Sequence, residues 1–184
     1  MTLDLDGVIC APFLGLNLGV HRGFLAPAAP PPPAFVTPQW LRVLVDHARF
    51  DLRRPLPDAA GGLAALVKVA RVAVLTGRRT SPAAWLRRHR LDQYVESITF
   101  NDGRLRSPHF KLAALERIRP RAHVDDDPRT VQLLAQRSAA EVYVRDWPRN
   151  RNLPYDPRVA RVATLHEVAR RVAALTSGAA GVTL

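Results

Sequence analysis

Leu3-Asp4-Leu5-Asp6-Gly7-Val8 holds two aspartates two positions apart, at the end of an apolar opening that reads as a strand over residues 1–5. Side chains at i and i+2 of a strand share a face, so Asp4 and Asp6 leave the strand together. Like charges held that close need a cation or a shared proton. Gly7 then frees the backbone to turn. In an open parallel sheet, ligands bind beyond the carboxyl ends of the strands. The pair therefore marks a functional edge, provided the rest of the chain builds such a sheet.

It does have that rhythm. Apolar runs predict further strands at residues 71–75, 95–100, 122–124, 141–144 and 159–162. Helix starts lie between them. Thr37-Pro38, Ser81-Pro82, Ser107-Pro108 and Asp127-Pro128 each pair a capping residue with Pro at the first helical position. Thr164-Leu165-His166-Glu167 has capping-box spacing, and Asp58 is placed to cap a helix running to about residue 70. Strands alternating with helices predict an α/β fold, a three-layer Rossmann-like parallel sheet.

Residues 9–56 break the rhythm with the proline run Ala26-Pro27-Ala28-Ala29-Pro30-Pro31-Pro32-Pro33, followed by one amphipathic helix over 38–50. They are read as a small cap insertion after the first strand. The predicted division is a core of residues 1–8 and 57–176, a cap at 9–56 and a frayed tail at 177–184.

Composition limits the function classes. The chain has 184 residues, enough for one domain with a small insertion. Its 47% hydrophobic and 23% charged residues are globular proportions. One cysteine, Cys10, excludes an intrachain disulfide and any cysteine-based metal cluster. No apolar run approaches the ~20 residues of a membrane span. The opening carries acids where a signal peptide carries bases. A soluble, cytoplasmic chain is the expectation. The net charge is +11, and of the 27 basic residues only Lys68 and Lys111 are lysine. A strong positive field favours anionic partners such as phosphate esters or nucleic acid.

Three more stretches carry chemistry. Val72-Ala73-Val74-Leu75-Thr76-Gly77-Arg78 ends a buried strand in a hydroxyl beside free backbone N–H groups, which suits a phosphate oxygen. Lys111, in Ser107-Pro108-His109-Phe110-Lys111, falls in the first turn of its helix, against the helix dipole, and so points to use elsewhere. Ala122-His123-Val124-Asp125-Asp126-Asp127-Pro128 puts three acids after a short strand. Asp127 is explained as an N-cap, leaving Asp125 and Asp126 to suit a hard cation such as Mg²⁺.

In this order and spacing the four stretches resemble the haloacid dehalogenase superfamily of aspartyl-phosphate phosphohydrolases. The resemblance covers about residues 1–8 and 70–150. It implies Asp4 as nucleophile and Asp6 as general acid/base. It implies Thr76, Gly77 and Lys111 as phosphate-binding residues. Asp4, Asp125, Asp126 and the backbone carbonyl of Asp6 are implied around Mg²⁺. The insertion falls where this superfamily places one type of cap. Only three residues precede Asp4, fewer than members usually have. Either the central strand is short or the true start lies upstream. A narrower similarity links Thr76-Gly77-Arg78, Trp85-Leu86, Val124-Asp125-Asp126 and Asp146-Trp147-Pro148-Arg149-Asn150 to the C-type 5′-nucleotidases.

The implied function is a Mg²⁺-dependent phosphomonoesterase acting on a small phosphorylated metabolite, with nucleotides the first choice. The alternatives are a phosphatase acting on nucleic-acid ends through the basic surface, and a non-catalytic nucleic-acid-binding module. His21, Arg22 and Arg78 are further candidates for contact with the substrate. Trp40 and Trp85 read as packing residues. Arg145, Arg149 and Arg151 surround Trp147, a thin signal for nucleic acid.

Overall fold

The structure, a computed structural model, describes residues 1–12, 24–25 and 52–180. His21, Arg22, the proline run, Trp40 and the expected 38–50 helix lie outside the described residues. Six strands form one parallel sheet: β1 (Thr2–Leu3), β2 (Ala73–Thr76), β3 (Ser97–Phe100), β4 (Ala122–Asp125), β5 (Glu141–Arg145) and β6 (Val159–Val162). The order is β3-β2-β1-β4-β5-β6. Chain direction around the sheet reverses between β1 and β4, and a doubly wound sheet opens its crevice at such a switch point.

Side-chain alternation builds two cores. Leu3, Val74, Val124 and Tyr143 face α1 (Ala59–Leu66), α2 (Ala83–Arg88) and α5 (Leu165–Ala180). Leu75, Val142 and Val144 face α3 (Ser107–Ile118) and α4 (Pro128–Arg137). The central strand spans two residues, and it is tied along both edges. Leu3 is registered against Val74 and Val124. Beyond the strand, Asp4 N–H donates to Val124 O (2.8 Å), and Ala73 N–H donates to Met1 O (3.0 Å).

Beyond β1 the chain turns tightly. Ile9 and Cys10 N–H groups donate to Leu5 O at 2.9 and 2.7 Å. The two ends of the insertion then clasp each other: Ala11 N–H donates to Arg54 O and Leu56 N–H to Ile9 O, each at 2.8 Å. The chain leaves and re-enters the core at one place.

Several expected boundaries move. Asp127 caps α4 as read, accepting from Arg129 N–H and the Thr130 hydroxyl. Ser107 belongs to α3 itself and makes no cap bond, so Lys111 sits just past the first turn. Helix α5 runs on to Ala180, into the expected tail. Helix α1 stops at Leu66, and Asp58 makes no side-chain bond to it. Instead the Asp58 carboxylate binds the Arg145 guanidinium at 2.8 and 3.0 Å and accepts from Leu165 N–H (2.8 Å), the first residue of α5. One acid thus joins β5 to the start of the last helix, a long-range choice that a local capping rule does not see.

Burial pushes the Asp58 carboxyl up, but the bonds from Arg145 and Leu165 outweigh it and hold it below its ordinary 3.8. A depressed carboxylate stabilises the fold above its unfolded value and loses that contribution as pH falls through the folded one. Asp58→Asn is therefore expected to lower stability by about 2 kcal/mol at pH 7. In urea melts the gap between the two proteins should close below about pH 3. A gap independent of pH would refute the electrostatic account.

Candidate active site

The register of β1 on β4 decides the geometry. Pairing Leu3 with Val124 sets Asp4 beside Asp125 at the carboxyl end of both strands. Alternation turns Thr2, Asp4, His123 and Asp125 to the face covered by α3, from which Lys111 reaches down. The Lys111 ammonium lies 2.9 Å from Asp4 Oδ1 and 2.7 Å from Asp125 Oδ2. All three side chains are almost completely buried. Asp126 adds a third carboxylate: one oxygen each from Asp4, Asp125 and Asp126 falls within 4.8 Å of the others.

The electrostatics divide the three acids. Burial pushes Asp4 well above the usual carboxylate range; Lys111 opposes this, and Asp125, Asp6 and Asp126 reinforce it. Burial acts on Asp125 in the same direction, but there Lys111 and His123 win and hold the carboxyl well below its ordinary value. Burial pushes Lys111 down, and Asp125 and Asp4 together raise it above its ordinary range.

Asp125 is also the better supported. Its Oδ1 accepts from Asp127 N–H (3.0 Å), and its Oδ2 meets His123 Nε2 (3.2 Å). His123 Nδ1 lies 2.9 Å from Thr2 Oγ1. A neutral ring satisfies both contacts, with Nε2–H donating to Asp125 and Nδ1 accepting the hydroxyl. Burial lowers the His123 pKa, in keeping with that neutral form. Asp4 Oδ1, by contrast, is buried and faces Lys111 without a hydrogen bond of good geometry.

Asp6 leaves the strand with Asp4 but its carboxylate is not one of the three. Arg78 holds it in a two-point grip (Nε to Oδ2 2.9 Å, guanidinium N to Oδ1 2.8 Å), and Arg53 adds a contact at 3.0 Å. Arg78, read from sequence as a substrate contact, is buried against Asp6 with Cys10 Sγ at 3.5 Å. Thr76 ends β2 at the same sheet edge, fully buried, and its hydroxyl accepts from Arg78 N–H at 3.3 Å. Gly77 passes so close to α3 that an added Cβ would lie 2.2 Å from Ser107 Oγ.

Gly7 is required twice over. Its φ is +74°, and an added Cβ would lie 2.1 Å from Asp126 Oδ2. Gly7→Ala is expected to cost about 2–3 kcal/mol through backbone strain and displacement of Asp126. Urea melts measure this; a change under about 0.5 kcal/mol would show that the turn relaxes freely.

Sequence reading passed over His123, Thr2, Arg53 and the Arg149 pairing with Asp126. His123 had a signal, since it stands two positions before Asp125 on the same strand face. The arginines around Trp147 all find acids within the chain: Arg145 on Asp58, Arg149 on Asp126 and Arg151 on Asp146. Arg145 and Arg149 are thereby largely buried, while the Arg151 side chain stays half exposed. Trp85 is buried, as expected, and its ring N–H donates to Arg53 O at 2.9 Å.

No protein-family model matches the chain, and no curated protein matches it. Solved structures do. CbbY from Rhodobacter sphaeroides in complex with phosphate aligns with a TM-score of 0.57 and 15% identity, over 91% of this chain and 94% of that one. D,D-heptose 1,7-bisphosphate phosphatase from B. bronchiseptica, complexed with magnesium and phosphate, gives 0.52 and 17%, over 96% and 98%. A haloacid dehalogenase superfamily hydrolase of subfamily IA from Geobacter sulfurreducens gives 0.51 and 22%, over 71% of this chain and 60% of that one. The chain has the haloacid dehalogenase fold. A haloacid dehalogenase-like hydrolase from Xanthomonas campestris is likewise matched over 57% of its length. Nothing in these matches supports the narrower similarity to C-type 5′-nucleotidases. Among the described residues, no helix is long and apolar enough to cross a membrane.

Proposed function

We propose that this chain is a Mg²⁺-dependent phosphomonoesterase that works through an aspartyl phosphate on a small phosphorylated metabolite. One observation carries the reading: a buried lysine bridges two carboxylates at the switch point, with a third carboxylate within ligand distance of both. The donors fit the ion. They are hard carboxylate oxygens, and Asp4 Oδ1 is buried with no well-formed hydrogen bond. Asp4, Asp125 and Asp126, with the backbone carbonyl of Asp6, would hold it. When bound, the ion neutralises charge between the carboxylates and a phosphoryl oxygen.

The residues then divide the work. Asp4 attacks phosphorus in line, forming a P–O bond as the bond to the leaving oxygen breaks. Asp6 gives that oxygen its proton and later takes one from the water that hydrolyses the aspartyl phosphate. Arg78 and Arg53 donate to both Asp6 oxygens, so Asp6 must turn out of that grip to carry the proton. Thr76, the Gly77 amide and Lys111 hold the transferring oxygens. His123 and the Asp127 amide fix the Asp125 carboxylate, which would hold the ion.

The clasped excursion, taken as residues 9–56, is the proposed cap over a core of 1–8 and 57–176. His21 and Arg22 would approach the substrate from it. Nucleoside monophosphates remain the first substrate class, supported only by the sequence stretches that carry the narrower similarity, Asp146–Asn150 among them. The intramolecular pairing of Arg145, Arg149 and Arg151 counts against docking on nucleic-acid ends. The test is a turnover screen across phosphorylated metabolites and 3′- or 5′-phosphorylated oligonucleotides, with and without Mg²⁺. Turnover of a metabolite only with Mg²⁺ supports the reading. Silence across the whole panel, with no Mg²⁺ binding by calorimetry, would end it.

A further inference from the structure

Asp146-Trp147-Pro148-Arg149-Asn150 is stitched into the candidate site. Trp147 ring N–H donates to Gly7 O (2.8 Å), one residue after Asp6. Asn150 Nδ2 donates to Asp126 O (3.0 Å) and to Arg145 O (2.7 Å), and Asn150 Oδ1 accepts from Trp147 N–H (3.1 Å). Residues 148–150 form a short 3-10 turn held by these bonds. Its middle residue, Arg149, is thereby delivered to Asp126. One guanidinium nitrogen donates to Asp126 Oδ2 at 2.8 Å and lies 3.3 Å from Asp126 O. The Nε–H of the same side chain is buried and has no hydrogen-bond partner.

Charge makes this arrangement unstable to a cation. Lys111 serves Asp4 and Asp125, and Arg149 serves Asp126. A divalent ion taking the Asp126 carboxylate meets a guanidinium already on it, and like charges at contact distance repel. Where the ion takes Asp126 Oδ2, the guanidinium yields that oxygen. It then carries two unsatisfied N–H directions beside the reacting centre, in the planar fork that matches phosphate oxygens.

We propose that Arg149 is a substrate-phosphate ligand controlled by cation binding. It stands in as the counter-charge of Asp126 without the ion and turns to a phosphoryl oxygen once the ion is bound. This rests on the function proposed above and adds a residue to it.

The two roles have opposite signs, which a purely structural arginine cannot imitate. The test is calorimetric titration of Mg²⁺ into the metal-free protein, and of inorganic phosphate into the Mg²⁺-saturated protein. Arg149→Met should bind Mg²⁺ about five- to tenfold more tightly, because the competing cation is gone. It should bind phosphate about tenfold or more weakly. Arg149→Lys keeps the charge, so its Mg²⁺ affinity should stay near that of the unaltered protein, with phosphate affinity between the other two. If Arg149→Met weakens both titrations, or moves neither, the proposal is overturned. An Arg149→Lys that behaves as Arg149→Met in the Mg²⁺ titration overturns it as well. Asp125→Asn separates the underlying reading. If the unaltered protein binds Mg²⁺ and Asp125→Asn does not, only the Arg149 inference is at stake; if neither binds, both readings fall.

Discussion

Asp4→Asn is expected to lose turnover by on the order of 10⁴-fold or more while the protein stays folded and gains a little stability. The two effects come from the same environment. Burial and the neighbouring carboxylates push the Asp4 carboxyl well above its ordinary range, so its charged form is the costly one here. A group with a raised folded value contributes stability below its unfolded pKa and loses it as pH rises. At neutral pH, Asn removes that cost at nearly constant volume. Lys111 is not stranded, because Asp125 still pairs with it at 2.7 Å. What Asn cannot do is attack phosphorus. The measurement is turnover of the best substrate from the screen beside urea melts at pH 7. An Asp4→Asn protein that keeps full activity would remove Asp4 from the nucleophile position. One that unfolds would show that Asp4 holds the site together and does not load it with unfavourable charge.

This contrast between Asp4 and Asp125 shows where sequence reading stops. Elements were legible because they rest on local pattern. The β3, β5 and β6 strands appear within two residues of the apolar runs that predict them. The alternation of strand and helix correctly implies a parallel sheet. The acids at positions 4, 125 and 126 converge because strand ends in such a sheet share an edge, which is a topological rule. Pairings across the chain were not legible. Asp58 looks like a cap for the helix that follows it, yet it bonds Arg145 and the start of α5, 87 and 107 residues away. Arg78 looks like a free cation after a phosphate-binding Thr, yet it grips Asp6, 72 residues earlier. With 25 arginines in the chain, nothing local says which carboxylate each one meets. His123 was only half legible: its spacing puts it on the same strand face as Asp125, but its meaning comes from Lys111 and Asp125 closing around it.

Lys111→Met should be the most destabilising single change in the site. The ammonium is nearly fully buried and stands between Asp4 and Asp125, with Asp126 close by. Removing it leaves buried carboxylates without a counter-charge, and breaking such a pair from one side costs about 3–5 kcal/mol. The pH dependence follows from the shifts. In the unaltered protein Asp125 is held below its ordinary value mainly by Lys111, so its contribution is present above the unfolded pKa and disappears only in acid. Without Lys111, burial raises Asp4 with no cation against it, and Asp125 rises too, with only His123 and the Asp127 amide left to oppose its burial. A raised carboxylate stabilises at low pH and loses that contribution as pH increases, so the variant should become less stable from about pH 4 toward pH 7. The deficit against the unaltered protein should therefore be largest at neutral pH and smallest near pH 4. Mg²⁺ should recover part of it, since a divalent ion offers the carboxylates the positive charge that Met lacks, whereas on the unaltered protein its stabilising effect should be smaller. Urea melts at pH 4 and pH 7, each with and without Mg²⁺, read all four states. A deficit that ignores both pH and Mg²⁺ would mean that Lys111 matters for its packed methylene stem and not for its charge.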